Sequence, residues 1–253
     1  MSFANYISSA FYPIFYSGNQ DASVRADFIS RQKIFQGPNS ILEPFAGDGS
    51  LGMLLAKRKI NTTSLESDAI LFGIMLDRFK RSPECYPHFT PLPLKITELE
   101  QTEAWDCLVL SNAISFLEDQ DLPNNLEIAC QLIKPDGLLI LNSPKHTPLR
   151  QEQPKQEVGR KIFGHNILKH YASSILIESN KMQIDFTFSW ERHNRTIFES
   201  VHSQIITLRE PNQIIEYLNA CGLELTHISG GWNSQELEPS SPNFLIVCRK
   251  SDS

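Results

Sequence analysis

Several features that mark particular protein classes are scarce in this sequence. It has no apolar run approaching the ~20 residues that a membrane-spanning helix requires. Its five cysteines are scattered, without a Cys-x-x-Cys pair, so we expect reduced thiols and neither disulfides nor a metal site. It contains no internal repeat and no low-complexity tract. With 41% hydrophobic residues, the composition is that of a globular protein.

Positive charge is also scarce. The 23 lysines and arginines are outnumbered by 29 aspartates and glutamates, and the net charge of −6 argues against a surface that follows nucleic-acid phosphates. Residues 1–5 carry neither a basic start nor an apolar signal core, so we expect a cytoplasmic location. No membrane partner is expected. The 253 residues suffice for one large domain.

The most informative segment is 40–55, SILEPFAGDGSLGMLL. It predicts a short buried strand, a sharp glycine turn and then a helix. Glycine lets the backbone approach a ligand, because it has no Cβ. The helix that follows offers unpaired N–H groups to a negatively charged part of that ligand. A carboxylate, Glu43, ends the strand.

Strands and helices alternate through the first 143 residues. After a helical segment at 1–36, the predicted strands are 40–43, one ending at Glu66, 89–94, 105–110 and 138–141. The predicted helices are one capped by Ser67-Asp68 and ending near Ser82, and one at 119–133. This alternation predicts a parallel sheet covered on both faces, with ligands bound at the carboxyl ends of its strands.

The alternation stops after Ser143. We expect a helical stretch near 158–171, then antiparallel strands at 184–188 and 197–208. A helix is predicted over 211–220, because Pro211 lies near its start and Gly222 follows its end. Residues 223–228 and 244–248 should pair. The domain boundaries predicted within one domain are 1–36, 37–144, 145–210 and 211–250.

Four pieces in this order resemble the class I S-adenosylmethionine-dependent methyltransferases. They are Leu42 to Gly49, Glu66, the Trp105-Asp106 strand and the Lys134-Pro135-Asp136-Gly137 turn. The resemblance covers 38–143 and returns at 205–250. It implies an α/β, Rossmann-like, doubly wound, mostly parallel seven-stranded sheet, with a helical N-terminal lid and an antiparallel β insertion after the fifth strand.

A looser resemblance is to small-molecule N-methyltransferases that act on amino sugars. Tyr12-Pro13-Ile14-Phe15-Tyr16 is similar to their N-terminal Tyr-Asp-x-Phe-Tyr, and the 206–222 segment with Gly230-Gly231 is similar to their C-terminal third. The implied activity is methyl transfer to N or O of a small molecule in specialised metabolism. The implied cofactor is S-adenosylmethionine, with S-adenosylhomocysteine as product and no metal.

The family resemblance also implies roles for individual residues. Backbone in the turn would hold the methionine end of the cofactor, with Glu43 ordering that turn. Glu66, with Ser67 beside it, would bind the ribose, and Ile96 would pack on the adenine. Residues after the fourth strand would face the cofactor's amino group or the substrate. The implied cofactor-binding residues are Glu43, Phe45, Ala46, Gly47, Asp48, Gly49, Glu66, Ser67, Ile96, Ser111 and Asn112.

Two residues depart from the family pattern. Phe45 stands where many members have their first glycine, although the Pro-Phe-Ala-Gly form resembles methyltransferases that act on nucleic acid. Lys95 falls where the family often has an aspartate that accepts a hydrogen bond from the adenine amino group. Since a lysine can only donate, that contact is lost or is replaced, with Glu98 as the candidate.

Methyl transfer needs an acceptor atom with a free lone pair, such as a neutral rather than a protonated amine, so a general base is useful. The candidate catalytic residues are His146, which follows the fifth strand, His202, on the antiparallel stretch, and Tyr16. Residues 145–210 are the expected specificity element.

Two alternatives stay open. A nucleic-acid aminomethyltransferase is disfavoured, because Ser111-Asn112-Ala113-Ile114 stands where those enzymes have an Asp/Asn-Pro-Pro-Tyr motif. A methyltransferase-like domain that has lost catalysis and serves as a scaffold is supported by Lys95 and Phe45. The expected partner is a small molecule rather than nucleic acid, and the sequence leaves a homodimer open.

Overall fold

A computed structural model describes residues 20–32, 39–146, 152–193 and 195–251. The chain divides into two compact units: residues 148–207 belong to one, and 18–147 with 208–253 form the other. The described strands, in chain order, are β1 (Ser40–Pro44), β2 (Asn61–Leu65), β3 (Phe89–Leu92), β4 (Trp105–Ser111), β5 (Ile133–Pro144), β6 (Gln153–Phe163), β7 (Asn166–Glu178), β8 (Lys181–Arg192), β9 (Arg195–Thr207), β10 (Leu223–Ser229) and β11 (Asn243–Lys250). The described α-helices are α1 (Gln20–Ser30), α2 (Ser50–Lys57), α3 (Ala69–Lys80), α4 (Leu122–Leu132) and α5 (Pro211–Ala220).

The larger unit contains a seven-stranded sheet in the order β10-β11-β5-β4-β1-β2-β3. Neighbours from β5 to β3 run parallel, and β11 runs antiparallel to both β5 and β10. The predicted fold is therefore confirmed: an α/β, mostly parallel sheet followed by an antiparallel insertion. The carboxyl ends of β1, β2, β4 and β5 share one edge of this sheet, where ligands bind in such folds.

Apolar side chains cover both faces of the larger sheet. On one face Leu126 of α4 and Ile214 of α5 are buried in the main core. On the other face Ile29 of α1 and Leu55 of α2 are buried in a second core. A third cluster lies where α3 packs near β3, around Met75. Helices on both faces make the sheet doubly wound.

Most predicted elements of the larger unit are confirmed within one to four residues. Asp68 caps α3 as predicted, since its carboxylate accepts hydrogen bonds from the amides of Ile70 (2.9 Å) and Leu71 (3.0 Å). The fifth strand starts earlier than predicted, because Ile133 already pairs with Trp105 of β4; the regular pairing resumes at Cys107↔Leu138 after a register shift. Of the predicted helical lid, 20–30 is α1, whereas 1–19 and 33–38 lie outside the described residues.

The smaller unit is an antiparallel meander of β6, β7, β8 and β9. The predicted helix near 158–171 is wrong: this stretch forms the hairpin of β6 and β7, which turns at Gly164 with φ 59°. Within the sheet the ring of His170 stacks on Phe188, with ring centroids 4.5 Å apart. The predicted strands at 184–188 and 197–208 are confirmed within β8 and β9.

In the part of the chain that the structure describes, no helix has the length and apolar character needed to cross a membrane.

Candidate functional site

The turn between β1 and α2 has a left-handed backbone at three residues: Phe45 (φ 58°), Gly47 (φ 60°) and Gly49 (φ 71°). An added Cβ at Gly49 would lie 2.6 Å from Cγ of Met75, whereas at Gly47 it would meet nothing within 4 Å. Glycine is therefore required at 49 by packing and favoured at 47 by conformation. Phe45 adopts the conformation usually left to glycine, with its side chain 38% exposed. The backbone at Gly47 borders open space.

The carboxylate of Glu66, directly after β2, contacts this turn. Its Oε2 accepts a hydrogen bond of 2.8 Å from the amide of Gly47, and its Oε1 accepts one of 2.7 Å from the amide of Asp68. Burial raises the pKa of Glu66, and these amides act in the opposite direction. Each oxygen keeps a further lone pair, so the carboxylate can still accept hydrogen bonds from a ligand. Ser67, the next residue, is exposed.

Glu43, at the end of β1, lies behind the turn rather than at its surface. Its side chain is 4% exposed, and Oε2 accepts a 2.7 Å hydrogen bond from Oγ of Ser64. A Cβ at Gly52 would lie 2.7 Å from that oxygen, so glycine permits the close approach of α2. Burial raises the pKa of Glu43 to about 7. Glu43 therefore joins β1 to β2 and to the start of α2, and its ordering of the turn stays a prediction.

Asp48 and Ala46 occupy the middle of the turn. The carboxylate of Asp48 is bound by Arg78 of α3 and by Ser50, and the amide of Ala46 donates to the carbonyl of Leu65 at 2.9 Å. The turn is therefore fixed on both sides by its neighbours in the sheet and in α3.

Three polar residues, Ser111, Asn112 and Asn142, lie at or near the carboxyl ends of the adjacent strands β4 and β5. Ser111 is paired with Asn142 in the sheet register. Nδ2 of Asn142 donates to Oδ1 of Asn112 at 2.6 Å, and the amide of Asn112 donates back to Oδ1 of Asn142 at 3.1 Å. Asn112 holds a left-handed backbone with φ 56°. Nη1 of Arg25, from α1, donates to Oγ of Ser111 at 2.6 Å.

A cavity of about 250 Å³ opens at this edge of the sheet. Polar side chains that line it are Asp21, Arg25, Asn112, Asn142, Asn233, Gln235 and Asn243. Sequence analysis identified Asn112 but missed the others. For Asn142 a signal existed, because a polar residue ends the apolar run of β5. For Arg25 none existed, since its partner Ser111 is 86 residues away.

The predicted adenine side lies around the short 3₁₀ turn Ile96–Glu98. The side chain of Ile96 is buried in the main core. Oε2 of Glu98 accepts a 2.6 Å hydrogen bond from the amide of Lys95, so this carboxylate stabilises its own turn. An adenine contact by Ile96 or Glu98 stays a prediction.

The three candidate bases fall in different parts of the chain. Nδ1 of His146 lies 3.3 Å from Oε1 of Glu210 in the larger unit. His202 lies on β9 opposite Phe186, and burial lowers the pKa of its imidazole. Tyr16 lies outside the described residues. A catalytic role stays a prediction for all three. Among the described residues no group of three His, Cys, Asp or Glu side chains could hold a metal ion.

The chemistry of the site fits S-adenosylmethionine. The turn at Gly47 presents bare backbone beside a carboxylate, which suits a ribose with two hydroxyl donors. The guanidinium of Arg25, which binds Ser111 and pairs with Asp21, suits the carboxylate at the amino-acid end of that molecule. Polar groups for both ends of the cofactor therefore surround one edge of the sheet.

The fold is that of the class I S-adenosylmethionine-dependent methyltransferases, as solved structures of such enzymes match nearly the whole chain. No family model matches the sequence, and no curated protein does either.

The sugar N-methyltransferase KedS8 from Streptoalloteichus sp. matches with a TM-score of 0.77 and 13% identity over 95% of this chain and 93% of its own. An S-adenosylmethionine-dependent methyltransferase from Clostridium acetobutylicum matches with a TM-score of 0.77 and 12% identity over 96% of this chain and 97% of its own. CalS10, an amino pentose methyltransferase from Micromonospora echinaspora, matches with a TM-score of 0.72 and 13% identity over 99% of this chain and 98% of its own.

Proposed function

We propose that this protein is an enzyme that transfers a methyl group from S-adenosylmethionine to a nitrogen or oxygen of a small molecule in specialised metabolism. The observation that carries the proposal is the hydrogen bond between the Glu66 carboxylate and the Gly47 amide, at the carboxyl edge of a sheet with the methyltransferase fold. This hydrogen bond holds the glycine turn next to the strand-end carboxylate, and the ligand would contact both.

In this proposal the backbone of residues 45–49 binds the methionine end, and Glu66, with Ser67 beside it, binds the ribose hydroxyls. Ser111 and Asn112 face the amino group, and Arg25 offsets the negative charge of the cofactor's carboxylate. Glu43 and Asp48 act on the turn, since both carboxylates are engaged by protein donors.

S-adenosylmethionine, when bound, supplies a methyl group on a sulfonium and needs no metal for its transfer. The chain's own residues must orient the acceptor, with reacting atoms about 3–3.5 Å apart. They must also keep a lone pair of its nucleophilic atom free to attack the methyl group. A neutral imidazole can accept a proton from the acceptor. Burial lowers the pKa of His202, which favours the neutral form of its imidazole.

The cavity beside Asn112 and Asn142 supports a small polar acceptor. Amide side chains both donate and accept hydrogen bonds, as a polyhydroxylated molecule requires. Two of the matched structures, KedS8 and CalS10, are named as sugar or amino pentose methyltransferases, so amino sugars come first in a substrate screen. The proposal includes a cytoplasmic location and leaves a homodimer open.

The nucleic-acid alternative is weakened by the residues after β4. Ile114 stands where the aromatic residue of an Asp/Asn-Pro-Pro-Tyr motif would stack on a base, and it is fully buried. The net charge of −6 also opposes phosphate binding. A scaffold without catalysis is the second candidate. It is favoured by Lys95, which replaces the aspartate that would accept from adenine, while the carboxylate of Glu98 already accepts a hydrogen bond from the backbone amide of Lys95.

Isothermal titration calorimetry with S-adenosylhomocysteine tests the cofactor part. We expect saturable 1:1 binding by the wild-type protein. Glu66→Ala should bind at least about tenfold more weakly, because both ribose hydroxyls lose their hydrogen-bond acceptor. Glu127→Ala, at an exposed glutamate on α4, is the matched control and should bind as the wild type does. Absence of binding by the wild type would favour the scaffold.

A screen with a labelled methyl donor tests the acceptor part. Amino sugars, simple amines, phenols and single-stranded DNA would each be incubated with the protein. We expect label in a small molecule. Label only in DNA would replace the proposed function by the nucleic-acid alternative.

A further inference from the structure

Arg78 lies in the last turn of α3 and reaches the glycine turn, 30 residues earlier in the chain. Its Nη1 donates to the Asp48 carboxylate, to Oγ of Ser50 at 2.6 Å and to the carbonyl oxygen of Asp48 at 3.4 Å. The side chain of Asp48 is only 12% exposed, and that of Arg78 is 28% exposed. This pair is therefore more shielded from water than an ordinary surface ion pair.

Asp48 in turn stabilises the start of α2. Its Oδ1 accepts hydrogen bonds from the amide of Ser50 at 3.1 Å and from the hydroxyl of Ser50 at 2.6 Å. The N-cap residue, Gly49, has no side chain to accept from those first amides. The carboxylate one residue before it supplies the missing acceptor, and the charge of Arg78 holds that carboxylate in place.

The charges around the turn give Arg78 a second effect. The carboxylates of Asp48 and Glu66 border the turn, and Glu43 lies behind it; burial, with a smaller contribution from repulsion by Asp48, raises the pKa of Glu43. A cation beside Asp48 offsets its negative charge at the segment that must approach the ligand. Arg78 supplies that cation from outside the turn.

We propose that Arg78 is a positioning residue for the cofactor turn: by binding Asp48 and Ser50 it holds the Gly47–Gly49 backbone in its binding conformation without touching the cofactor. This inference rests on the proposed function. It names a residue on α3, outside the predicted strand-turn-helix segment, whose effect on cofactor affinity passes through Asp48.

A double-mutant cycle tests the inference by calorimetry with S-adenosylhomocysteine. Arg78→Gln and Asp48→Asn should each weaken binding about tenfold, the size of one charge-assisted hydrogen bond. The double variant should bind within about twofold of either single variant, because both changes remove the same interaction. Arg78→Lys, which keeps the charge, should recover part of the affinity. Arg81→Gln is the matched control and should bind normally. Arg81 directly follows α3, its side chain is 77% exposed, and it pairs with Asp77 of that helix.

Amide hydrogen exchange of the ligand-free protein supplies a readout independent of the cofactor. Arg78→Gln should increase exchange at residues 46–50 more than in the rest of the larger unit. Should Arg78→Gln fail to fold, Asp48→Asn and Ser50→Ala carry the same two measurements.

The outcomes separate the two proposals. If the wild type does not bind S-adenosylhomocysteine, the proposed function is overturned. If the wild type binds and Arg78→Gln binds equally well, or if the two single effects multiply in the double variant, only the role of Arg78 is overturned. A lowered melting temperature with unchanged affinity would mean that Arg78 is merely structural.

Discussion

The buried carboxyl group of Glu43, on β1, accepts a 2.7 Å hydrogen bond from the hydroxyl of Ser64, on the neighbouring strand β2. The two residues are directly paired in the parallel register. The contact joins the two strands whose carboxyl ends carry the glycine turn and Glu66. A buried polar pair thus lies directly beneath the candidate site.

This burial makes stability depend on pH. The pKa of Glu43 is raised from 4.5 to about 7 by burial, so the folded protein binds a proton that the unfolded chain releases between these values. The stabilisation is fully present below pH 4.5 and is lost as the pH rises through 7. Urea unfolding of the wild type should lose about 2–3 kcal/mol between pH 5 and pH 8 relative to Glu43→Gln. Equal pH dependence in the two proteins would contradict this.

The two glycines of the turn should respond differently to alanine. Gly49→Ala combines φ 71° with a Cβ 2.6 Å from buried Met75, and we expect a loss of about 2–4 kcal/mol in unfolding free energy. Gly47→Ala has open space, so only about 1–2 kcal/mol of backbone strain is expected. If the cofactor occupies that space, Gly47→Ala should still weaken S-adenosylhomocysteine binding at least tenfold. Normal binding by Gly47→Ala would mean that no ligand approaches there.

Arg209, before α5, should be a strong stability determinant. It is 2% exposed and donates to the carboxylate of Asp119 and to the carbonyls of Ile114 and Leu117 in the loop after β4. Arg209→Met leaves those carbonyls without their donor, and we expect a loss of about 2–4 kcal/mol, measured by thermal unfolding. Arg81→Met, at an arginine whose side chain is 77% exposed, is the matched control and should cost less than about 1 kcal/mol.

The choice among the candidate bases can be made kinetically once an acceptor is found. If His202 is the base, kcat/KM should rise with pH through a value below the usual 6.5 of histidine, since burial lowers its pKa. His202→Ala should then remove that limb and lower the rate about 10²–10⁴-fold. His146→Ala, with its imidazole near Glu210, should leave the limb in place. The opposite result would assign the role to His146.

The sequence predicted the larger unit well, for physical reasons that lie in particular residues. Gly47 and Gly49 enforce the turn, Asp68 caps α3, and Pro211 with Gly222 bound α5, so local chemistry alone identified these elements. Glu66 was singled out by the family resemblance, and its ribose-binding role stays a prediction.

Other features could not be predicted, because they depend on contacts distant in sequence or on weak patterns. The prediction of a helix at 158–171 is wrong. The β6 part of this stretch is almost entirely exposed, so it lacks the clean alternation of apolar and polar residues that would indicate a strand. Arg25 reaches Ser111 across 86 positions, and Arg78 reaches Asp48 across 30. Only the packing of the helices on the sheet brings these pairs together.

A crystal structure of the protein grown with S-adenosylhomocysteine tests the central claim most directly. The account predicts the ligand over residues 45–49, with both ribose hydroxyls on the carboxylate of Glu66 and the amino-acid end toward Ser111. Ligand bound away from Gly47 and Glu66, or none bound at saturating concentration, would contradict it.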